Sequence, residues 1–130
     1  MTTYRGSCHC GAVAFEAEGE IERVTVCNCS LCARTGYLHW YVEPARFRLL
    51  TPPEAFDTYR FLTGAAQHHF CRTCGVSPFR RPRSDPHLFD VNVRCLEGVD
   101  TDRLARDRFD GRSWEEAEAA GELEPLRRRE

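Results

Sequence analysis

The chain has 130 residues, 29% of them charged, with a formal net charge of −2 and eight cysteines. That length suits one domain with a real core, and the near-neutral balance leaves no footprint for nucleic acid as a partner. No apolar run approaches the roughly 18 residues of a membrane helix and no secretory start is present, so no membrane association is expected. The expected setting is the cytoplasm, where thiols stay reduced. All 18 basic residues are arginine. Genome composition is the simplest reason, although the guanidinium fork would suit a small acidic ligand.

In chain order, "MTTYRGSCHC" is strand-like up to its first cysteines, and residues 12–17 ("AVAFEA") form the next strand before a turn at Gly19. A strand "IERVTVC" then ends at Cys27. The stretches "YLHWYV" (37–42), "RFRLL" (46–50), "TYRFL" (58–62) and "HLFDVNV" (87–93) are rich in aromatic and branched residues, as strands are. Loop signals separate them: "EPA", "TPPEAFD", "TGAAQ" and "RRPRSDP". These gaps are too short for helical crossovers, which predicts antiparallel sheets. A turn of helix is expected at "TDRLARD". "SWEEAEAAG" predicts a short C-terminal helix, with Ser113 and Glu116 as a capping box and Gly121 as its stop. Residues 118–130 read as a tail to a single domain spanning 1–130.

Seven of the eight cysteines fall into three groups: Cys8 and Cys10; Cys27, Cys29 and Cys32; Cys71 and Cys74, followed by Gly75. Residues two apart in an extended chain face one side, so a C-x-C presents both thiolates to one ion. A C-x-x-C before glycine suits a metal knuckle, because glycine tolerates the positive φ that closes it. Soft sulfur ligands in a reducing compartment point to zinc. Disulfide pairing, possible in roughly a hundred ways for eight cysteines, fits these spacings less well.

Three partitions are open on spacing. Cys8, Cys10, Cys71 and Cys74 can close one four-sulfur structural site, leaving Cys27, Cys29 and Cys32 with a free fourth position, as catalytic zinc has. Cys29 and Cys32 can instead join Cys71 and Cys74 as a ribbon. Or Cys95 can complete the triplet, making two closed sites. Cys95 shares a strand face with Val91 and Val93 by alternation, however, and a thiol beside valines is more often a buried hydrophobe.

"GSCHCGAVAFE", "CNCSLCARTG", "HHFCRTCGVSPF", "VNVRCLEGVD" and "FDGRSWE", in this order, resemble the glutathione-dependent formaldehyde-activating enzyme family, which also includes centromere protein V. The resemblance runs from about residue 4 to residue 117 and implies a mainly β fold of coiled antiparallel sheets, similar to the Mss guanine-nucleotide-releasing proteins. It implies two zinc ions per chain: a structural one on Cys8, Cys10, Cys71 and Cys74, and a catalytic one on Cys27, Cys29 and Cys32. The implied activity is that of a carbon–sulfur lyase, joining glutathione and formaldehyde reversibly as S-hydroxymethylglutathione. A non-catalytic zinc module and a lyase or thiol carrier for another substrate are the competing readings.

Glutathione's carboxylates need donors, and Arg34, just after the triplet, is the candidate substrate-binding residue. Arg80, Arg81 and Arg83 could rim an anion site, with solvated surface the simpler expectation. His39 reads as a strand histidine that could alternatively reach the open site. His69 is expected on the side of Cys71, as a partner to the structural thiolates. Tyr37, Trp40, Phe70 and Phe79 read as core.

Overall fold

The alternating branched and aromatic stretches become ten strands in the computed structural model of the chain, which describes residues 1–61, 64–83 and 85–113. Strands β1 (Thr2–Ser7), β2 (Ala14–Gly19) and β5 (Phe47–Leu49) form an antiparallel three-stranded sheet with β2 central. The other strands are β3 (Arg23–Cys27), β4 (His39–Val42), β6 (Phe56–Tyr59), β7 (Gln67–Cys71), β8 (Phe79–Arg81), β9 (Phe89–Asn92) and β10 (Ala105–Phe109). They form a seven-stranded sheet in the order β10-β3-β4-β9-β8-β7-β6.

The fold is therefore mainly β, as expected, with one departure in strand direction. β10 runs parallel to β3, pairing Phe109 with Cys27. Short gaps between consecutive strands dictate antiparallel neighbours only for those neighbours. β3 and β10 are far apart in sequence, so the intervening strands themselves serve as the crossover. The segment read as a helical turn at "TDRLARD" is a 3-10 turn, Thr101–Arg103, leading into β10. The expected C-terminal helix and the tail lie outside the described residues, apart from Ser113.

Strand alternation gives the seven-stranded sheet two unlike faces. Val24, Trp40, Val42, Phe79 and Val91 enter the main core together with Phe15 and Ala17 of the small sheet. Phe47 ties that core together, with ring centroids 4.0 Å from Phe89 and 5.2 Å from Phe15. The fully buried Phe15 alone stabilises the fold by about 2–3 kcal/mol, and the partly buried Phe47 and Phe89 by less. The neighbouring residues point the other way: Thr25, His39, Tyr41, His68, Arg80 and Asp90, all buried. A sheet face that buries so many polar groups away from the main core is where chemistry is to be sought.

Candidate metal centres and the adjoining cavity

At the first centre, Cys8 leaves β1 and Cys71 ends β7, and two matching turns fold back over them. Cys8 donates its N–H to Val13 O while the Val13 N–H points at Cys8 Sγ, 2.9 and 3.3 Å. The Cys71 turn repeats this pattern. Its N–H bonds Val76 O at 2.9 Å, and the Thr73 and Cys74 N–H groups reach Cys71 Sγ at 3.3 and 3.4 Å. Gly75 closes the second turn at φ 80°, a left-handed conformation that a side chain would strain.

The four sulfurs of Cys8, Cys10, Cys71 and Cys74 lie within 4.8 Å of one another. Cys10 is 3.7 Å from Cys8 and 3.6 Å from Cys71. A zinc tetrahedron with Zn–S of about 2.3 Å has edges of about 3.8 Å, so these spacings fit the ion. The thiols share protons unequally. Neighbouring N–H groups, Cys74's first, hold Cys71 below the ordinary thiol range, whereas at Cys10 the lowering by the Ala12 N–H is outweighed by partial desolvation and the adjoining sulfurs, which push it up to about 11. A dication bound there would replace those shared protons.

The second centre sits where β3 runs into α1 (Ser30–Thr35), the one α-helix among the described residues. Cys29 is the cap of this helix, accepting the Cys32 N–H at 3.3 Å, and the Cys29 N–H reaches Cys27 Sγ at 3.4 Å. The C-x-C-x-x-C spacing thus uses the helix turn to bring its three sulfurs together, within 4.8 Å. Here too the protons cannot be shared evenly. Hydrogen bonds from Cys27 and Cys32 hold Cys29 well below the ordinary thiol range, while Cys27, Cys29 and burial push Cys32 far above it. Three sulfurs that compete for protons in this way form a donor set for a soft dication.

The parallel pairing of β10 has a direct consequence for this centre: it lays residues 109–113 across the triplet. Asn28 is clamped by Asp110 Oδ1 and by the Arg112 N–H at 3.0 and 3.1 Å, and Arg112 Nε donates to Asn28 O at 2.7 Å. Gly111 passes so close that a Cβ there would stand 2.4 Å from Cys27 Sγ.

Beneath the triplet lies a buried polar chain. Cys32 Sγ is 3.3 Å from His39 Nε2, and His39 Nδ1 is 2.6 Å from Asp90 Oδ2. Arg80 Nε donates to the same Asp90 oxygen at 2.6 Å, and the Tyr37 hydroxyl donates to Asp90 O at 2.8 Å. Burial lowers the His39 pKa, opposed by Asp90. Burial also works against the Arg80 charge, but Asp90 and then Cys32 outweigh it and keep the guanidinium charged. A neutral His39 ring donates Nδ1–H to Asp90 and accepts from the Cys32 thiol. A ring carrying both protons donates to Asp90 and to Cys32 as thiolate, so Cys32 keeps a hydrogen bond in either state.

These placements revise several expectations. His39 touches a cysteine of the triplet and is more than a strand histidine, while Asp90 was not foreseen in the site at all. Arg80 is buried and ion-paired; solvated surface was the simpler expectation. Arg81 lies over the Phe89 ring, 3.6 Å from its centroid. Arg34 is exposed and donates to Ser30 O at 2.8 Å, on its own helix. His69 pairs with the Thr58 hydroxyl at 2.8 Å and packs between Phe56 and Phe79. Cys95 belongs to neither sulfur cluster. It sits in a 3-10 turn after β9, its Sγ 4.0 Å from Ser77 O, with burial pushing its thiol up to about 11. The valine-face argument for Cys95 fails, because β9 ends at Asn92. Trp40 and Phe79 are core, but Tyr37 and Phe70 line a cavity of about 300 Å³ on the polar side of the sheet. Cys32, His68 and Arg80 share that cavity wall.

Two sulfur clusters on a two-sheet β scaffold, one of four cysteines and one of three beside a cavity, define a protein built around cysteine groups that could hold metal ions. Residues 3–110 match the family described as glutathione-dependent formaldehyde-activating enzyme, and the chain belongs to that family. A solved structure of a Rhodobacter sphaeroides protein is 35% identical, with a TM-score of 0.72, covering 79% of this chain and 99% of that one.

Proposed function

We propose that the protein is a zinc-dependent carbon–sulfur lyase that reversibly joins a thiol to an aldehyde, as in S-hydroxymethylglutathione formed from glutathione and formaldehyde. Family membership supports the glutathione and formaldehyde part of this reading. The observation that carries the rest is the unequal pair of clusters. Cys8, Cys10, Cys71 and Cys74 supply a complete tetrahedron, whereas Cys27, Cys29 and Cys32 have no fourth protein ligand among the described residues and border a cavity through Cys32. When bound at the triplet, zinc supplies a site for a soft incoming thiolate.

The reaction forms one C–S bond, removes the thiol proton and adds a proton to the former carbonyl oxygen, so it is proton-neutral overall. The protein's own residues provide geometry for it. His39, oriented by Asp90, holds the Cys32 sulfur in one direction. The 110–113 segment covers the other side at Cys27 and Cys29. A fixed approach of the two reactants contributes rate without further chemistry. The cytoplasm is the compartment we assign, since both clusters require reduced sulfur.

The test is metal analysis together with exchange NMR of formaldehyde and glutathione. Wild-type protein is expected to carry two zinc ions and to speed interconversion of the free thiol and its adduct. Cys29→Ser is expected to carry one zinc, remain folded and lose the acceleration. Unaccelerated exchange by the two-zinc wild-type protein, with glutathione and with uncharged thiols alike, would leave a zinc scaffold, not an enzyme.

A further inference from the structure

The cavity beside Cys32 has a chemistry of its own. Among the described residues its wall is mostly hydrocarbon and ring: Leu31, Tyr37, Tyr59 and Phe70. The cation on that wall, Arg80, is spent on Asp90 at 2.6 Å, so the pair brings no net charge. Three thiolates around a divalent ion would add a net charge near −1 at the cavity's end. A ligand with several carboxylates would lose its hydration there and find no uncompensated cation in return. Arg34, exposed and turned onto Ser30, is absent from the wall.

One buried polar atom on that wall is left for a ligand to use. His68 is 7% exposed, lines the cavity, and its Nε2 has no hydrogen-bond partner among the described residues. A buried orphan of this kind costs on the order of 1–3 kcal/mol unless something bonds to it. Its ring is held against Phe61, with centroids 5.4 Å apart, so the nitrogen is a fixed handle. Burial and the Arg80 charge keep the ring neutral, with a pKa lowered to about 4. A neutral imidazole at that place suits an amide or hydroxyl.

We propose that this cavity accepts the uncharged, largely apolar body of a thiol bearing one neutral polar group for His68, with the sulfur at the Cys27–Cys29–Cys32 centre. The thiol handled here is of that class in preference to glutathione. The inference rests on the reading of the triplet as a thiol site and changes only which thiol occupies it. At about 300 Å³ the cavity is at the small end of ligand pockets, enough for one aromatic ring with a short linker.

The test uses the zinc-loaded full chain and calorimetric titration with three thiols: N-benzyl-2-mercaptoacetamide, 2-phenylethanethiol and glutathione. The amide thiol is expected to bind at least tenfold more tightly than glutathione. His68→Phe, which keeps the ring packing, is expected to weaken the amide thiol threefold or more and to leave 2-phenylethanethiol unchanged. Tyr59→Glu, at the exposed rim, is expected to weaken both apolar thiols. Glutathione binding as tightly as the amide thiol would overturn the proposal while sparing the triplet's role. No response to any thiol would overturn both. Equal losses for the two apolar thiols in His68→Phe would remove the histidine's part and with it the assigned polar group.

Discussion

Replacing Asp90 with asparagine isolates the charge that holds the second centre's foundation in place. Asp90 is fully buried, and a single oxygen, Oδ2, receives both Arg80 Nε and His39 Nδ1 at 2.6 Å, while Oδ1 has no partner among the described residues. An asparagine can therefore set its carbonyl oxygen where Oδ2 stands and keep both hydrogen bonds. What disappears is the negative charge opposite a buried guanidinium. Removing one member of a buried pair costs on the order of 3–5 kcal/mol, and retained hydrogen bonds place this case near 3. For a domain of this size that lowers Tm by roughly 10 °C. The assay is urea and thermal unfolding at saturating zinc of wild type, Asp90→Asn, Arg80→Met and the double variant. The double variant is expected to recover much of the loss, because no uncompensated charge remains buried. A loss below about 1 kcal/mol for Asp90→Asn, or a double variant no better than the single one, would refute the reasoning.

Other outcomes follow from the same contacts. Gly111→Ala places a methyl group 2.4 Å from Cys27 Sγ. It should weaken zinc at the triplet at least tenfold in a chelator competition, while the four-cysteine centre keeps its ion. Cys71→Ser removes a ligand that joins β7 to the N-terminal strand, so loss of cooperative unfolding is expected there, in contrast to the folded, one-zinc Cys29→Ser. If both variants lose the fold, the second centre is structural. Acidification should destabilise the protein through His69, whose pKa burial first, and then Arg81 and Arg60, lower to about 4. The unfolded chain, with a histidine pKa of about 6.5, takes the proton first as pH falls. The stability is thus complete above about pH 6.5 and is lost progressively toward pH 4. By pH 5 the loss should be about 1–2 kcal/mol. His69→Gln should show that much less destabilisation than wild type between pH 7 and pH 5, measured by urea midpoint with excess zinc. Equal slopes would rule the histidine out.

The sulfur clusters were legible early because ligand spacing is local chemistry. The Cys8–Cys10 pair, which the structure places in a turn after β1 and not on an extended strand, and the Cys71–Cys74 knuckle each need only a local turn to face an ion. The triplet needs only the first turn of a helix. Most strands were legible for a similar reason, since alternation of aromatic and branched residues reports on a half-buried pleat. Asp90, Arg80 and His68 gave no such signal. Asp90 lies between Phe89 and Val91, Arg80 follows Phe79 and His68 sits between Gln67 and His69, and what Asp90 and Arg80 bond comes from neighbouring strands of the seven-stranded sheet. Whether a polar residue in a strand faces water or a buried partner depends on the element packed against it.

From the residues alone came the candidate metal chemistry, the mainly β character and the three cysteine groups, all consequences of contacts within a few positions of chain. Which groups gather together was open on spacing, and the structure brings Cys8 and Cys10 to Cys71 and Cys74. The tertiary structure decided the direction of β10 and hence the cover at Gly111. It also decided the burial of the Cys32–His39–Asp90–Arg80 chain and the uncharged wall of the cavity. Those features join residues as far as 84 positions apart, as between Asn28 and Arg112. Only the closing of the sheet brings such groups into one low-dielectric place, where a charge must find its partner and a sulfur its neighbours.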